Sequence, residues 1–210
     1  INFDKGLPEA RFDYLYGHID KSDNPANPKT QLYYARKGII TPEMVYVAQR
    51  ESHAINDMPE FKAWMANKFQ GNGFGAIIPD DISAEYIRDE IAQGRAIIPA
   101  NHKHRQLEPM IIGRGFSVKV NANLGLNTKT DKATNMIHQM MWATRWGADT
   151  VMSLSTGLSF DDLSKLVRNS HVPVGSVPIY DALAKVSGDL SKLSWEIYKE
   201  VLISHAEAGV

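Results

Sequence analysis

Cysteine is absent from all 210 residues. That excludes disulfides, and it excludes any cysteine-ligated zinc or iron–sulfur cluster held by these residues alone. A basic surplus is missing too. Lys and Arg number 23 against 24 Asp and Glu, for a formal net charge of −1 and a pI near 6.7. A phosphate backbone is bound by excess cations that release counterions, so nucleic acid binding has no electrostatic support. No apolar run reaches the roughly 18 residues that a spanning helix needs. The opening INFDKGLPEARFD is charged and has no apolar signal core. These absences predict a cytoplasmic protein with neither nucleic acid nor membrane as partner. What is present is 43% hydrophobic content, ordinary for a globular chain, at a length that suits one or two domains.

Residues 1–36 read as loop, because DKSDNPANPKTQ is rich in prolines and turn formers. A helix start follows: Thr41 can cap, Pro42 suits the first helical position and Glu43 suits the positive helix end, with the helix running to about Glu51. A second helix is predicted over Pro59–Phe69, with Phe61, Trp64, Met65 and Phe69 on one face. The GNGFG segment at 71–75 reads either as a phosphate cradle or as a connector. No strand signal precedes it and no GK[ST] follows, which favours the connector. Asp81–Gln93 reads as an amphipathic helix stopped by Gly94, and Ala96–Pro99 as a short strand.

The second half alternates strands and helices. Strands are predicted at Ser117–Gly125, Thr150–Leu154 and Val172–Val177. Helices are predicted at Asp131–Trp146 and Asp161–Asn169, then a short one from Tyr180 and a longer one over Leu190–Ala208. That order implies a parallel sheet or barrel. The expected fold class is α/β. An N-terminal α+β domain (1–95) is followed by the first three βα units of a (βα)8 TIM-like barrel (96–210), truncated, because a closed barrel needs eight strands and about 250 residues. An open three-stranded segment exposes a strand edge and an apolar face, so this chain by itself is expected to associate.

Barrel chemistry sits where strands end, and three such places stand out. In Val118–Leu124 the apolar Val118, Val120, Ala122 and Leu124 alternate with Lys119, Asn121 and Asn123. A polar row on that face is satisfied either by a bound polar ligand or as an asparagine ladder bonded to neighbouring backbone. Met152 ends the next strand, where a thioether is core or packs on a planar ring. Ser155, Thr156 and Gly157 after it bind an anion or cap the following helix. Tyr180 ends the third strand, as a donor to a substrate oxygen or as an interface aromatic. His102 and His104 form an H-x-H pair, but no third ligand is evident, so a loop pair is preferred to a metal site. The other histidines, His205 among them, are scattered, and no Ser/His/Asp order or nucleophile elbow is visible.

Several long segments, in order, resemble the phosphomethylpyrimidine synthase family. They are KGLPEAR (Lys5–Arg11), TQLYYARKGIITPEMVYVAQRE (Thr30–Glu51), GRAIIPAN (Gly94–Asn101), EPMIIGR (Glu108–Arg114), WATRWGADTVM (Trp142–Met152) and VPVGSVPIY (Val172–Tyr180). The resemblance implies a radical S-adenosylmethionine lyase of thiamine biosynthesis. Such an enzyme rearranges 5-aminoimidazole ribotide to 4-amino-5-hydroxymethyl-2-methylpyrimidine phosphate, as a homodimer with a 4Fe-4S cluster and zinc. It also implies that Asn123, Met152 and Tyr180 bind the ribotide, with no metal ligand and no assigned catalytic residue in this stretch. The family's zinc histidines and cluster cysteines are expected beyond residue 210. None of these cofactors can therefore be fully ligated here, and the chain alone is expected to be inactive.

Departures from the family pattern fall on the segment PANHKHRQ, where Lys103 and its neighbours replace INHPE, on Ser153 in place of an aspartate, and on Leu126 and Asn127. A lost carboxylate and added cations beside a ribotide site are expected to alter activity. Two rivals remain. One is the related anaerobic 5-hydroxybenzimidazole synthase, which uses the same ribotide. The other is a non-catalytic divergent fragment that serves as an interaction or dimerisation module.

Overall fold

Capping side chains decide where most of the helices begin. A computed structural model describes residues 3–9, 29–56, 60, 79, 81–125, 133–156 and 158–210. The helix expected over Pro59–Phe69, apart from Glu60, and the GNGFG segment lie outside these residues. Two units are distinguished by their internal contacts. One draws on the described residues of Asp13–Pro99 and Pro109–Val118, the other on those of Ile1–Phe12, Ala100–Glu108 and Lys119–Val210.

In the first unit, helix α1 (Gln31–Arg36) interrupts the loop expected there, because Thr30 Oγ1 accepts from the Tyr33 N–H at 3.2 Å. Helix α2 (Pro42–Asn56) opens as expected: Thr41 Oγ1 accepts from the Met44 N–H at 3.3 Å, and Glu43 sits in the first turn. It continues to Asn56 rather than ending near Glu51. Helix α3 (Ala84–Ala92) starts after Ser83, not at Asp81, since Ser83 Oγ accepts from the Tyr86 N–H at 3.1 Å. It closes at Gly94, as the sequence predicts. Strand β1 (Ala96–Ile97) pairs antiparallel with β2 (Ile112–Gly113), a partner supplied by the EPMIIGR segment. Met44, Val47, Ile87, Ile91, Met110 and Ile111 are buried. Among them lies the Glu51 carboxylate, which accepts from the Ser117 N–H at 3.1 Å and so offsets part of its desolvation.

The second unit holds a parallel sheet in the order β3 (Asn121–Leu124), β4 (Thr150–Ser153), β5 (Val174–Gly175). Helices α4 (Ala133–Arg145) and α5 (Phe160–Arg168) are the crossovers. After β5 come α6 (Pro178–Lys185), a 3-10 turn at Leu190–Lys192 and α7 (Trp195–Ala208). The single long helix expected over Leu190–Ala208 breaks because Ser194 restarts it as a cap, accepting from the Ile197 N–H at 3.3 Å. Mixed α/β architecture is thus borne out.

The period of two sorts this sheet into two faces. Leu124, Val151 and Val174 turn inward and pack with Met136, Ile137 and Met140 of α4 and Leu166 and Val167 of α5. Burying each such side chain is worth about 1.5–3 kcal/mol. Asn121 and Asn123 are exposed on the other face, while Thr150, Met152 and Gly175 are half-buried there. The strand predicted from Ser117 begins only at Asn121. Val118 is 91% exposed, and the apolar alternation read through Val118 and Val120 therefore does not face a core. Ladder bonding starts where the Val120 carbonyl accepts from the N–H groups of Asp149 and Thr150, at 2.8 and 3.2 Å. The Asp149 carboxylate accepts in return from the Val120 N–H at 2.8 Å.

Candidate functional site

The polar face of the parallel sheet carries two of the three residues singled out from sequence, side by side. Register pairs Asn123 with Met152 and Met152 with Gly175. The asparagine row is a ladder, but its partners are side chains. Thr150 Oγ1 donates to Asn121 Oδ1 at 2.8 Å, and Asn121 Nδ2 donates to Asn123 Oδ1 at 2.9 Å. The chain of bonds runs in one direction. It holds the Asn123 carboxamide through its oxygen and turns its Nδ2 donors outward, each bond polarising the next.

Met152 lies close over the glycine of β5: a Cβ built on Gly175 would come 3.3 Å from Met152 Cε, and the methionine tip would have to give by a few tenths of an ångström to admit it. A soft sulfur beside an amide donor is suited to the face and edge of a flat heteroaromatic ring.

Tyr180 does not end a strand. β5 stops at Gly175, and Tyr180 lies in the first turn of α6, its N–H donating to the Val177 carbonyl at 3.0 Å. Its side chain is 44% exposed and makes no hydrogen bond or ring contact among the described residues. Among the described residues no hydrogen bond or ring contact joins it to Asn123 or Met152, which lie near the ends of β3 and β4.

The remaining sequence candidates resolve structurally. Ser155 is buried with its Oγ 3.7 Å from Met136 Sδ, Thr156 is exposed, and Gly157 lies outside the described residues. The cap of α5 is Ser159, whose Oγ accepts from the Asp162 N–H at 3.1 Å. His104 is buried and its Nε2 lies 2.7 Å from the Ser170 carbonyl, whereas His102 is exposed. The two rings thus occupy different environments in a loop rather than one side of a strand.

The departures at Lys103, Arg105 and Ser153 have places, whereas Leu126 and Asn127 lie outside the described residues. Ser153 is 2% exposed on the helix-facing side of β4, its Oγ 3.5 Å from Met136 Sδ, opposite to Asn123 and Met152. Lys103 is hydrogen-bonded to Glu207, and Arg105 Nη1 lies 3.5 Å from Glu9 Oε1. Both cations are engaged with carboxylates, and Ser153 belongs to the apolar side of the sheet.

One polar cluster is missed by the sequence reading. Ser176 Oγ lies 2.7 Å from His205 Nδ1, and His205 Nε2 lies 3.0 Å from Asp181 Oδ2. The three residues come from the end of β5, the first turn of α6 and the last turn of α7, so no local spacing announces them. The nearest sequence signal is the lack of a Ser, Thr, Asp or Asn before Pro178, which leaves α6 without the cap its neighbours have.

Among the described residues no group of three or more His, Cys, Asp or Glu is arranged to hold a metal ion. No helix among them is long and apolar enough to cross a membrane. Compared with known families, residues 30–210 match the model of the Radical SAM ThiC family.

Proposed function

The chain belongs to the Radical SAM ThiC family, and from that premise we propose that it carries part of a binding site for 5-aminoimidazole ribotide. Membership places it among the radical S-adenosylmethionine enzymes of the thiamine pathway. In this reading the Asn123 carboxamide donates to an acceptor of the ligand, Met152 packs on the imidazole plane, and the Tyr180 phenol donates to a ligand oxygen. The observation that carries it is the Asn123–Met152 register pair on the polar face, with the amide oriented by Asn121 and Thr150. The departures at Lys103 and Ser153 do not weigh against it, since their side chains are engaged elsewhere.

The finer expectations belong to the same proposal. They are rearrangement to 4-amino-5-hydroxymethyl-2-methylpyrimidine phosphate by a cytoplasmic homodimeric lyase, built on a (βα)8 barrel, with a 4Fe-4S cluster and zinc. The residues present do not fit those metal groups: the sequence has no thiolate for a cluster, and no metal-ligand group stands among the described residues. Their part is to bind and orient the ribotide, not to generate the radical. Titration calorimetry of 5-aminoimidazole ribotide into the protein tests this. Wild type is expected to bind, and Asn123→Ala to bind at least about tenfold more weakly, the worth of one good hydrogen bond. No heat with wild type, or equal affinity in the variant, refutes it. Product analysis of the full-length enzyme separates it from hydroxybenzimidazole synthesis.

A further inference from the structure

We propose that His205 is a positioning residue for Tyr180, holding the start of α6 in place through Ser176 and Asp181. This rests on the assignment of Tyr180 to the ribotide site.

Among the described residues Tyr180 has no bond of its own to fix its phenol, so its location depends on the first turn of α6. That turn is poorly secured by local chemistry. The helix has only 8 residues, and its N-cap is Val177, which supplies no side-chain cap. Elsewhere Thr30, Ser83, Ser159 and Ser194 each cap their helices with a side-chain oxygen. An isolated helix this short is unstable. Pro178 presets the first φ but contributes no N–H.

The missing cap is replaced from α7. The His205 ring reaches Ser176, which ends the strand side of the turn, and Asp181, which adjoins Tyr180 on the helix side, at 2.7 and 3.0 Å. One planar ring thus spans the whole β5–α6 turn. The side chains of His205 and Asp181 are only 10% and 17% exposed, so the bonds are largely sheltered from competing water. Asp181 also suits the positive end of α6. The ring serves both partners in either protonation state. When neutral it donates from Nε2 to Asp181 and accepts at Nδ1 from the Ser176 hydroxyl. When protonated it donates from both nitrogens, and the hydroxyl turns round to accept. The far end of α6 is tied to α7 by Lys185 and Glu200 at 2.8 Å, but that pair is exposed and holds weakly.

The test places a single 3-fluorotyrosine at position 180 and reads its fluorine resonance without ligand, alongside ribotide calorimetry. In His205→Ala the resonance is expected to shift and broaden, with ribotide bound roughly tenfold more weakly. His205→Gln can still donate to Asp181 and accept from Ser176, so it is expected to restore both readouts. Asp181→Ala severs the contact to α6 while leaving the ring on Ser176, and gives the same reading should His205→Ala fail to fold. An unchanged resonance in His205→Ala and Asp181→Ala, or no rescue by glutamine, overturns the proposal. If the resonance responds as expected while wild type binds no ribotide, the ribotide assignment fails and the positioning of Tyr180 stands.

Discussion

Replacing Ser153 with aspartate restores the residue type that the resemblance expects there, and the structure predicts that this chain will tolerate it badly. Ser153 is 2% exposed, against Met136 in the apolar cluster between the sheet and its helices. A carboxylate there loses hydration against the apolar cluster, so its pKa rises well above the ordinary value of about 3.9. If it stays protonated in the folded state at pH 7, linkage sets the penalty at about 1.36 × 3.1, or roughly 4 kcal/mol. At pH 5 the same reasoning gives about 1.5 kcal/mol. The sign follows from the raised folded pKa: the penalty is full above that pKa and vanishes below the unfolded one. Overpacking adds about 1–3 kcal/mol at either pH, while Ser153→Ala should cost about 1 kcal/mol or less. Urea titrations followed by tryptophan fluorescence measure this, because Trp142, Trp146 and Trp195 all lie in the same unit. A variant as stable as wild type at pH 7, or a deficit identical at pH 5 and pH 7, would mean that the side chain at 153 faces water.

Two further outcomes check other contacts. Gly6 adopts φ +70, and a Cβ there would meet the Arg168 carbonyl oxygen at 2.7 Å, so Gly6→Ala is expected to cost about 2 kcal/mol in a denaturant titration. An unaltered midpoint would show that residues 3–9 are not seated against α5 in solution. The Lys103 side chain, by its hydrogen bond and its charge, holds the Glu207 carboxyl below its usual range. The contribution of this pair is therefore present at neutral pH and lost as pH falls through the lowered pKa. Carbon-detected NMR should find the Glu207 midpoint raised in Lys103→Ala, and no movement would remove the pair from consideration.

Local chemistry made much of this legible. Thr41-Pro42-Glu43 and Gly94 mark helix limits in the sequence as they do in the structure, because caps act within one turn. The inward phase of Ala122 and Leu124 was also readable, since alternation is local. The same alternation misled at Val118 and Val120, where no strand among the described residues covers the side chains. One boundary slipped where two capping residues competed, Asp81 against Ser83. Asn123 and Met152 were readable as strand-end residues, but their pairing depends on register, which no single strand encodes. The Ser176–His205–Asp181 cluster was illegible because it forms between elements 29 residues apart in the chain. The revised meaning of Ser153 came from its side of the strand, which the motif did not convey.

The discontinuity of the two units bears on the order in which this protein is made. The stretch Ala100–Glu108 leaves the ribosome before its partners: Asn101 Nδ2 donates to the carbonyls of Ala206 and Val210, at 2.9 and 2.8 Å, and the Glu108 N–H donates to the His171 carbonyl at 2.9 Å. Those partners emerge dozens of residues later. The nascent chain must therefore carry this loop without these partners while the residues that follow it are made. Ribosome stalling or rare-codon pausing between residues 109 and 210 would prolong that exposure.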